Sequence, residues 1–359
     1  MNFDLSEEQE MFCASVERFA APIDVEARRK LRLSATGYDR ARWQELAELG
    51  LIALAADEDA GGLGGSPTDL ALVLEALGKA NAPDPLLEHG ILPTLLLQGH
   101  GALESVIAGE TLATLAWTER AKRYSLTPEH MKVESAGDGF TLTGEKTFVM
   151  GALLADLFIV TADFGGETAL FLVPADTDGL EVRAYRLTDG SIAGELKLTR
   201  VAVPAAARLD CDAAALEAIA STMRLYAAAE MVGLGQRLLD DTLEYVKERK
   251  QFGVAIGTFQ SLQHRLVEAY ALIEQSRSML YRAALGDAAD QAAWRRAAAG
   301  AKAFISQNVD AIAREAVQMH GGMGITDELA IGHAMKRVMV LARLFGDTDT
   351  ALADYALAA

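Results

Sequence analysis

The chain has 359 residues, 51% of them hydrophobic, which is enough to bury the cores of two or three domains. Its formal net charge of −18 disfavours binding to nucleic acid or to an anionic membrane surface. Two cysteines and six histidines show neither a disulfide framework nor metal-ligand spacing. With no apolar run long enough to span a membrane and no leader-like start, we expect a soluble cytoplasmic protein without a metal site.

The first 110 residues have the pattern of helices. Ser6, with Gln9 three positions later, is a plausible helix start, and a second helix is predicted from Arg42 to Leu51. The glycine-rich run 57–66 predicts a structural loop, because a phosphate cradle would need a preceding strand and a Lys. Ser66 or Thr68 is predicted to cap the next helix.

The character of the sequence changes near residue 111. Short segments rich in β-branched and apolar residues follow one another, with glycine-rich turns between some of them and no helical pattern, which predicts a small barrel or sandwich. The predicted strands are 111–117, 132–135, 140–143, 157–162, 168–173, 180–185 and 195–201.

The remainder is helical again, with an amphipathic helix predicted over 221–248 and others over 292–318 and 328–344. A short terminal helix is expected after Gly346. We therefore predict a mostly α fold with a β middle domain. Its parts are an N-terminal helical domain (1–110), a β-barrel domain (111–205) and a C-terminal four-helix bundle domain (206–359).

One stretch joins a helix end to the next helix start and carries side chains suited to a large anionic ligand. Arg249 can bind phosphate through its guanidinium fork, Phe252 can stack on a base, and Gln260 opens the following helix. The alternative interpretation from spacing alone is a capped helix turn with a core Phe.

The sequence ERKQFGVAIGTFQ at 248–260 resembles the ERxxFGxxIxxFQ stretch of the acyl-CoA dehydrogenase family. A second block, QMHGGMGI at 318–325, is similar to the family's QxxGGxG segment and lies in the expected order. The resemblance covers nearly the whole chain and implies that Arg249 and Phe252 contact FAD, with Gln260 beside them. It also implies that Gln318, Gly321 and Gly322 meet the adenosine end of a FAD held mainly by a neighbouring subunit.

The same resemblance implies oxidation of an acyl-CoA to a 2-enoyl-CoA, with electrons passed to an electron-transfer flavoprotein. The assembly is expected to be a homotetramer or a heterotetramer. From the middle domain, Thr118 and Phe148 are expected to contact the flavin, although 120–127 lacks the family's glycines and Met150 replaces a hydroxyl residue. Thr348 is a further expected FAD contact, and Arg224 an expected substrate contact.

The sequence leaves the identity of the catalytic base open. In the family's YEGT-like segment Gly346 stands where the Glu is usual, and Asp347 comes one position later. At the alternative family position on the long helix stands Met223, with Glu230 seven residues on. Glu230 is interpreted either as a base with a raised pKa or as a structural carboxylate paired with an Arg. A third alternative is that this chain holds no base.

The FGDxD ending (345–349) and the altered flavin loop resemble bacterial family subunits that act on steroid side chains and assemble as heteromers of two unlike chains. This resemblance implies a FAD shared between chains. Two other functions stay open: a non-catalytic assembly subunit of the same fold, motivated by Met150 and Gly346, and a flavin oxidase or monooxygenase relative.

Overall fold

The structure, a computed structural model, describes residues 5–21, 24–287 and 289–357. The outermost ends of the predicted first and third domains, 1–4 and 358–359, lie outside the described residues. Spatially the chain forms two compact units. The first, here the helical unit, comprises 1–31, 66–83 and 221–359. The second, here the β unit, comprises 32–65 and 84–220. The three-part division along the sequence stays a prediction.

The helices confirm the predicted order of helical, β and helical segments. Those before the sheet are α1 (Glu7–Phe19), α2 (Val25–Leu33), α3 (Arg40–Glu48), α4 (Pro67–Ala80), α5 (Leu92–Leu96) and α6 (Leu103–Ile107). Those after it are α7 (Ala213–Glu248), α8 (Gln260–Ala284), α9 (Gln291–His320), α10 (Ala330–Leu341) and α11 (Thr348–Leu357).

Two of the helix starts carry the predicted serine caps. Ser6 forms a capping box with Gln9 at the start of α1, and Ser66 forms one with Asp69 at the start of α4, so each pair satisfies amide groups that the first helical turn leaves open. Helix α3 is shorter than predicted because Leu49 is its C-cap and Gly50 follows with φ +76°, a left-handed conformation that ends helices.

All the predicted strands are present. They are β1 (Ala113–Ala116), β2 (Lys132–Ala136), β3 (Gly139–Met150), β4 (Leu157–Phe164), β5 (Glu167–Pro174), β6 (Leu180–Arg186) and β7 (Ile192–Pro204), with a small hairpin formed by β8 (Lys250–Gln251) and β9 (Val254–Ala255). The main sheet runs β1-β4-β2-β3-β7-β6, with β5 on β4. Strands β1 and β2 pair in parallel with β4, and the other pairings between the described strands are antiparallel. Phe158 and Phe171 are fully buried in its core.

Helix α7 is the centre of the helical unit. The prediction of an amphipathic helix is wrong for its middle, since every residue from Met223 to Gly235 is buried. The reason is that other helices of the unit pack around it. A Cβ added at Gly235, for example, would meet Ile273 of α8 at 2.6 Å and Val309 of α9 at 3.3 Å. The helix begins at Ala213, in agreement with the helical pattern predicted from about residue 211, where an alanine-rich stretch favours helix.

Helices α4 and α7 touch backbone to backbone through a pair of glycines. A Cβ on Gly233 would lie 2.0 Å from the Glu75 carbonyl oxygen, and one on Gly78 would lie 2.1 Å from the Glu230 carbonyl oxygen. We expect Gly233→Ala to force the helices apart and to lower the free energy of unfolding by about 3 kcal/mol, measured by urea denaturation. Gly101→Ala is the control, because no atom lies within 4 Å of its Cβ position. Equal stability of the two variants would contradict the close packing.

Candidate active site

The first predicted FAD-binding block forms a β-hairpin directly after α7. Strands β8 and β9 pair across a turn whose two residues, Phe252 (φ +54°) and Gly253 (φ +81°), are both left-handed, as a tight hairpin turn requires. The Phe252 side chain is 90% exposed, so the interpretation of Phe252 as a core residue is wrong. Its ring meets that of Phe259 edge to face, with centroids 6.0 Å apart, which leaves an aromatic face available for a ligand.

The second block forms an open glycine turn at the end of α9. Gly321 ends the helix with φ +62°, and a short 3-10 turn (Gly321–Ile325) follows. Among the described residues, no atom other than those of the immediate chain neighbours lies within 4 Å of a Cβ built on Gly321 or Gly322, and Gln318 is exposed. The backbone of this turn is therefore accessible to a ligand.

A ring stack joins the two blocks. Tyr245, one helical turn before Arg249, stacks on His320 with ring centroids 4.1 Å apart and planes 24° apart. His320 is itself held by a contact of 2.8 Å between its Nδ1 and the Ala316 carbonyl oxygen. The predicted pair of blocks is therefore brought to one end of the helical unit, although the sequence contains nothing that marks this stack.

The electrostatics of that end suit a phosphate group. The Arg249 side chain is exposed, and none of the ion pairs found among the described residues involves it. Its backbone is fixed on both sides, because its amide donates to the Tyr245 carbonyl at 2.8 Å and its carbonyl accepts from the Ile256 amide at 2.8 Å. An anchored backbone carrying an uncommitted guanidinium fits the pyrophosphate of FAD. Gln260, the first residue of α8, is exposed nearby in sequence.

The β unit brings together the two residues predicted to contact the flavin ring. The Thr147 amide donates to the Thr118 carbonyl at 2.8 Å, so Thr118 lies beside the residue that precedes Phe148. Phe148 is half-buried and has φ +52°. At Met150 the backbone carbonyl accepts a hydrogen bond of 2.8 Å from the Thr114 hydroxyl, while the thioether has no proton to donate.

The glycine-free segment after Thr118 is held by a carboxylate that sequence reasoning missed. Glu119 accepts hydrogen bonds from the amides of Glu129 (2.9 Å), His130 (2.8 Å) and Met131 (3.1 Å), and from Lys146 Nζ (2.9 Å). Burial alone would raise the pKa of Glu119, but these bonds, that from Lys146 first, outweigh it and lower the pKa to about 2. Glu119 is thus a fixed anion at physiological pH.

Around the predicted base position, two buried basic side chains contact the end of α10 and the turn that follows it. Arg224 Nε donates to the Phe345 carbonyl at 2.8 Å, and Lys302 Nζ donates to the Leu341 carbonyl. Arg224 also pairs with Asp354 at 2.8 Å. Arg224, the predicted substrate contact, is 4% exposed, and its guanidinium is hydrogen-bonded and ion-paired within the helical unit.

Gly346 and Asp347 form the turn into α11. Gly346 has φ +118°, which side-chain-bearing residues rarely adopt, so a Glu there would be strained. Asp347 Oδ1 accepts from the Thr350 amide (3.0 Å) and hydroxyl (2.8 Å), as a helix N-cap does. The geometry favours this capping role for Asp347, whose role as a base stays an untested prediction. Thr348, the first residue of α11, lines a cavity of ≈ 570 Å³ with residues of α8 and α9.

Glu230 lies in a buried ion pair. Both of its oxygens accept from Arg337, at 2.7 Å from Nε and 3.0 Å from Nη2, and both side chains are at most a tenth exposed. This geometry is the Arg-paired arrangement that was one of the two alternatives for Glu230. A carboxylate gripped in this bidentate way is a poor proton acceptor, so the geometry favours the structural role.

Lys302 makes the stability of the helical unit depend on pH. Burial, with repulsion from Arg224, lowers its pKa to about 7, against the opposing attraction of Asp347 and Glu230. Above that pH the unfolded chain binds a proton that the folded chain does not, so stability rises with pH towards the ordinary Lys pKa. We expect a gain of about 2 kcal/mol between about pH 7 and about pH 9 that Lys302→Met lacks.

Urea denaturation at both pH values measures this slope. Lys336, which is partly exposed and pairs with Asp327, provides the control, since Lys336→Met should keep the slope. An identical slope in wild type and Lys302→Met would show that Lys302 is charged in the fold.

The described residues contain no group of three or more His, Cys, Asp or Glu side chains placed to hold a metal ion. Among the helices of the described part of the chain, none combines the length and apolarity of a membrane span.

Three family models match successive parts of the chain: the acyl-CoA dehydrogenase N-terminal domain over 6–106, the middle domain over 114–201 and the C-terminal domain over 213–358. The chain belongs to the acyl-CoA dehydrogenase family. This membership confirms the predicted enzyme class, an oxidoreductase acting on CH–CH groups, and with it the predicted arrangement of helical, β and helical parts.

Similar proteins agree with this assignment. Acyl-CoA dehydrogenase IpdE2 of Mycolicibacterium smegmatis is 33% identical, over 95% of this chain and 96% of the relative. The structure of the steroid ACAD Tcur3481-Tcur3483 has a TM-score of 0.86 at 28% identity, covering 98% of this chain and 97% of the other. PigA with FAD and proline has a TM-score of 0.90 at 27% identity, covering 99% and 98%. The prediction of FAD as the cofactor agrees with these findings.

Proposed function

We propose that this chain is an FAD-binding subunit of an acyl-CoA dehydrogenase that oxidises the α,β bond of an acyl-CoA thioester and passes the electrons to an electron-transfer flavoprotein. The observation that carries the proposal is the joining of the Arg249 hairpin and the Gln318–Gly322 turn by the Tyr245–His320 stack. One end of the helical unit thereby offers a cation, an exposed aromatic ring and an open glycine backbone to one ligand.

When bound, FAD would supply the hydride acceptor for oxidation of the α,β bond, and a base would be needed for the α proton. The protein supplies binding and orientation. Arg249 and Gln318 are proposed to hold the pyrophosphate and adenosine end, with Phe252 stacking beside them. Gly321 and Gly322 allow close approach, because a side chain at either position would occupy that space. Gln260 and Thr348 are proposed as further contacts, and Thr118 and Phe148 as contacts to the flavin ring.

The catalytic base that accepts the α proton of the substrate is proposed to come from a partner chain. Gly346 offers no carboxylate, Asp347 caps α11 and Glu230 is paired with Arg337. The same observations favour one second candidate, a non-catalytic assembly subunit of this fold. Under it, this chain would take no part in FAD binding, so Arg249→Ala would leave the flavin content and turnover of the assembled enzyme unchanged, and a loss of either with normal assembly would exclude it.

Exposed apolar side chains of the helical unit support an oligomer. On α8, Val267 and Tyr270 are 65% and 58% exposed, and Ile325 beside the glycine turn is 72% exposed. Large apolar side chains exposed together mark association surfaces. We propose a tetramer, either of this chain alone or with a related unlike subunit, and a cytoplasmic setting. The resemblance to steroid-side-chain subunits supports a steroid or lipid acyl group.

The experiment is flavin content. The chain is purified alone and co-expressed with dehydrogenase-like chains encoded beside it, and the flavin released by heat is quantified per chain. We expect stoichiometric FAD in at least one assembly. Protein that is colourless alone and in every co-purified complex would refute the proposal.

A further inference from the structure

Lys146 is a fully buried lysine on β3 with every proton in use. Its Nζ donates to Glu119 Oε1 at 2.9 Å, to Thr161 Oγ1 at 2.9 Å and to the Trp117 carbonyl at 3.2 Å. An ammonium group has three donors, so the side chain is saturated. It ties together β3, β4 and the segment that follows β1.

The residues next to Lys146 adopt backbone that a plain strand does not have. The register between β3 and β7 shifts between Lys146 and Val149, and Phe148 within that bulge has φ +52°. A left-handed non-glycine residue costs free energy and persists only where its surroundings fix it. The fixing contacts here are those of Lys146 on one side and the hydrogen bond from Thr147 to Thr118 on the other.

We propose that Lys146 is a positioning residue for the flavin, which holds Thr118 and Phe148 in the orientation that meets the ring. Lys146 is buried and acts through these two neighbours rather than by touching the cofactor. The inference rests on the proposed function, because only a bound flavin gives the orientation of Thr118 and Phe148 a consequence beyond stability.

Burial lowers the pKa of Lys146 to about 8, although the hydrogen bond and the charge of Glu119 oppose that shift. Lys146 is therefore the member of the pair whose pKa lies nearer to neutral pH, whereas Glu119, which accepts hydrogen bonds from three backbone amides, stays ionised. Removing the lysine therefore takes away its hydrogen bonds to Trp117 and Thr161. The three amide hydrogen bonds to Glu119 remain and keep the segment 118–131 folded. A Lys146 variant thus tests the orientation of Thr118 and Phe148 separately from overall folding.

The test compares Lys146→Met with Lys132→Met, a matched change on β2 of the same sheet, where Lys132 pairs with Asp163 near the surface. Each variant is made in the full assembly. The readouts are the FAD dissociation constant and the visible circular dichroism of the bound flavin, with thermal unfolding as the check on folding. We expect Lys146→Met to weaken FAD binding about tenfold and to change the dichroism, with wild-type values for Lys132→Met.

Thr161→Val covers the case in which Lys146→Met does not fold, because it keeps the ion pair and removes one acceptor of Lys146. We expect it to change the dichroism in the same sense and to weaken FAD binding about threefold. Folded variants with the wild-type dissociation constant and dichroism would overturn the positioning role alone. A wild-type assembly that takes up no FAD would instead overturn the proposed function, and the inference with it.

Discussion

Arg249→Ala is expected to weaken FAD binding by about tenfold to one-hundredfold, since a hydrogen bond to a charged group is worth about 1.5–3 kcal/mol. The change removes the guanidinium from a hairpin whose backbone is fixed by Tyr245 and Ile256. The fold should be unaffected, because the side chain is exposed and none of the ion pairs of the described residues depends on it. Titration of apoprotein with FAD, followed by quenching of flavin fluorescence, measures the dissociation constant.

Lys250→Ala is the matched control for Arg249→Ala. Lys250 is the adjacent exposed cation, on β8 of the same hairpin, so its removal changes net charge equally while sparing the guanidinium fork. We expect less than a threefold effect, from screened long-range attraction alone (about 0.5 kcal/mol). If both variants lose FAD affinity equally, binding depends on positive charge in general, and the proposed specific role of the Arg249 guanidinium is wrong.

Arg337→Met is expected to lower the free energy of unfolding by about 3–5 kcal/mol, because it removes the cation that donates two hydrogen bonds to the buried carboxylate of Glu230. Glu230 lies on α7 in the centre of the helical unit, at 7% exposure, where water cannot replace the lost hydrogen bonds. Urea denaturation of the apoprotein measures the change.

The double variant Glu230→Leu with Arg337→Met separates the cost of an unpaired charge from the worth of the pair. Buried ion pairs replaced by apolar side chains are often neutral in stability, so we expect the double variant to recover most of the loss. A double variant as unstable as the single one would indicate that the pair itself stabilises the bundle.

The order of helices and strands was predictable because the patterns that encode it are local. Each predicted strand is a short run rich in β-branched and apolar residues, and some helix starts carry a capping residue, as Ser6 and Ser66 do. The amphipathic interpretation of α7 was wrong for its middle because glycines such as Gly233 and Gly235 carry no apolar side chain, whereas in the structure neighbouring helices pack closely against them.

The site was predictable only where its residues are consecutive. The two predicted FAD-binding blocks stand out as short motifs, but the contact that joins them is the Tyr245–His320 stack, between residues 75 positions apart. The Glu119–Lys146 pair was missed for a similar reason, since each residue in isolation resembles an ordinary surface charge. The exposure of Phe252 could not be predicted from its hydrophobicity, because it follows from the left-handed turn conformation of this residue.

The most direct test is anaerobic addition of acyl-CoA thioesters, including steroid-side-chain ones, to the purified flavin-containing assembly, with absorbance of the flavin and mass of the thioester followed together. We predict bleaching of the flavin together with a thioester lighter by two hydrogens, about 2 Da. A flavin that stays oxidised with every thioester, in an assembly that retains its FAD, would contradict acyl-CoA dehydrogenation as the function of this protein.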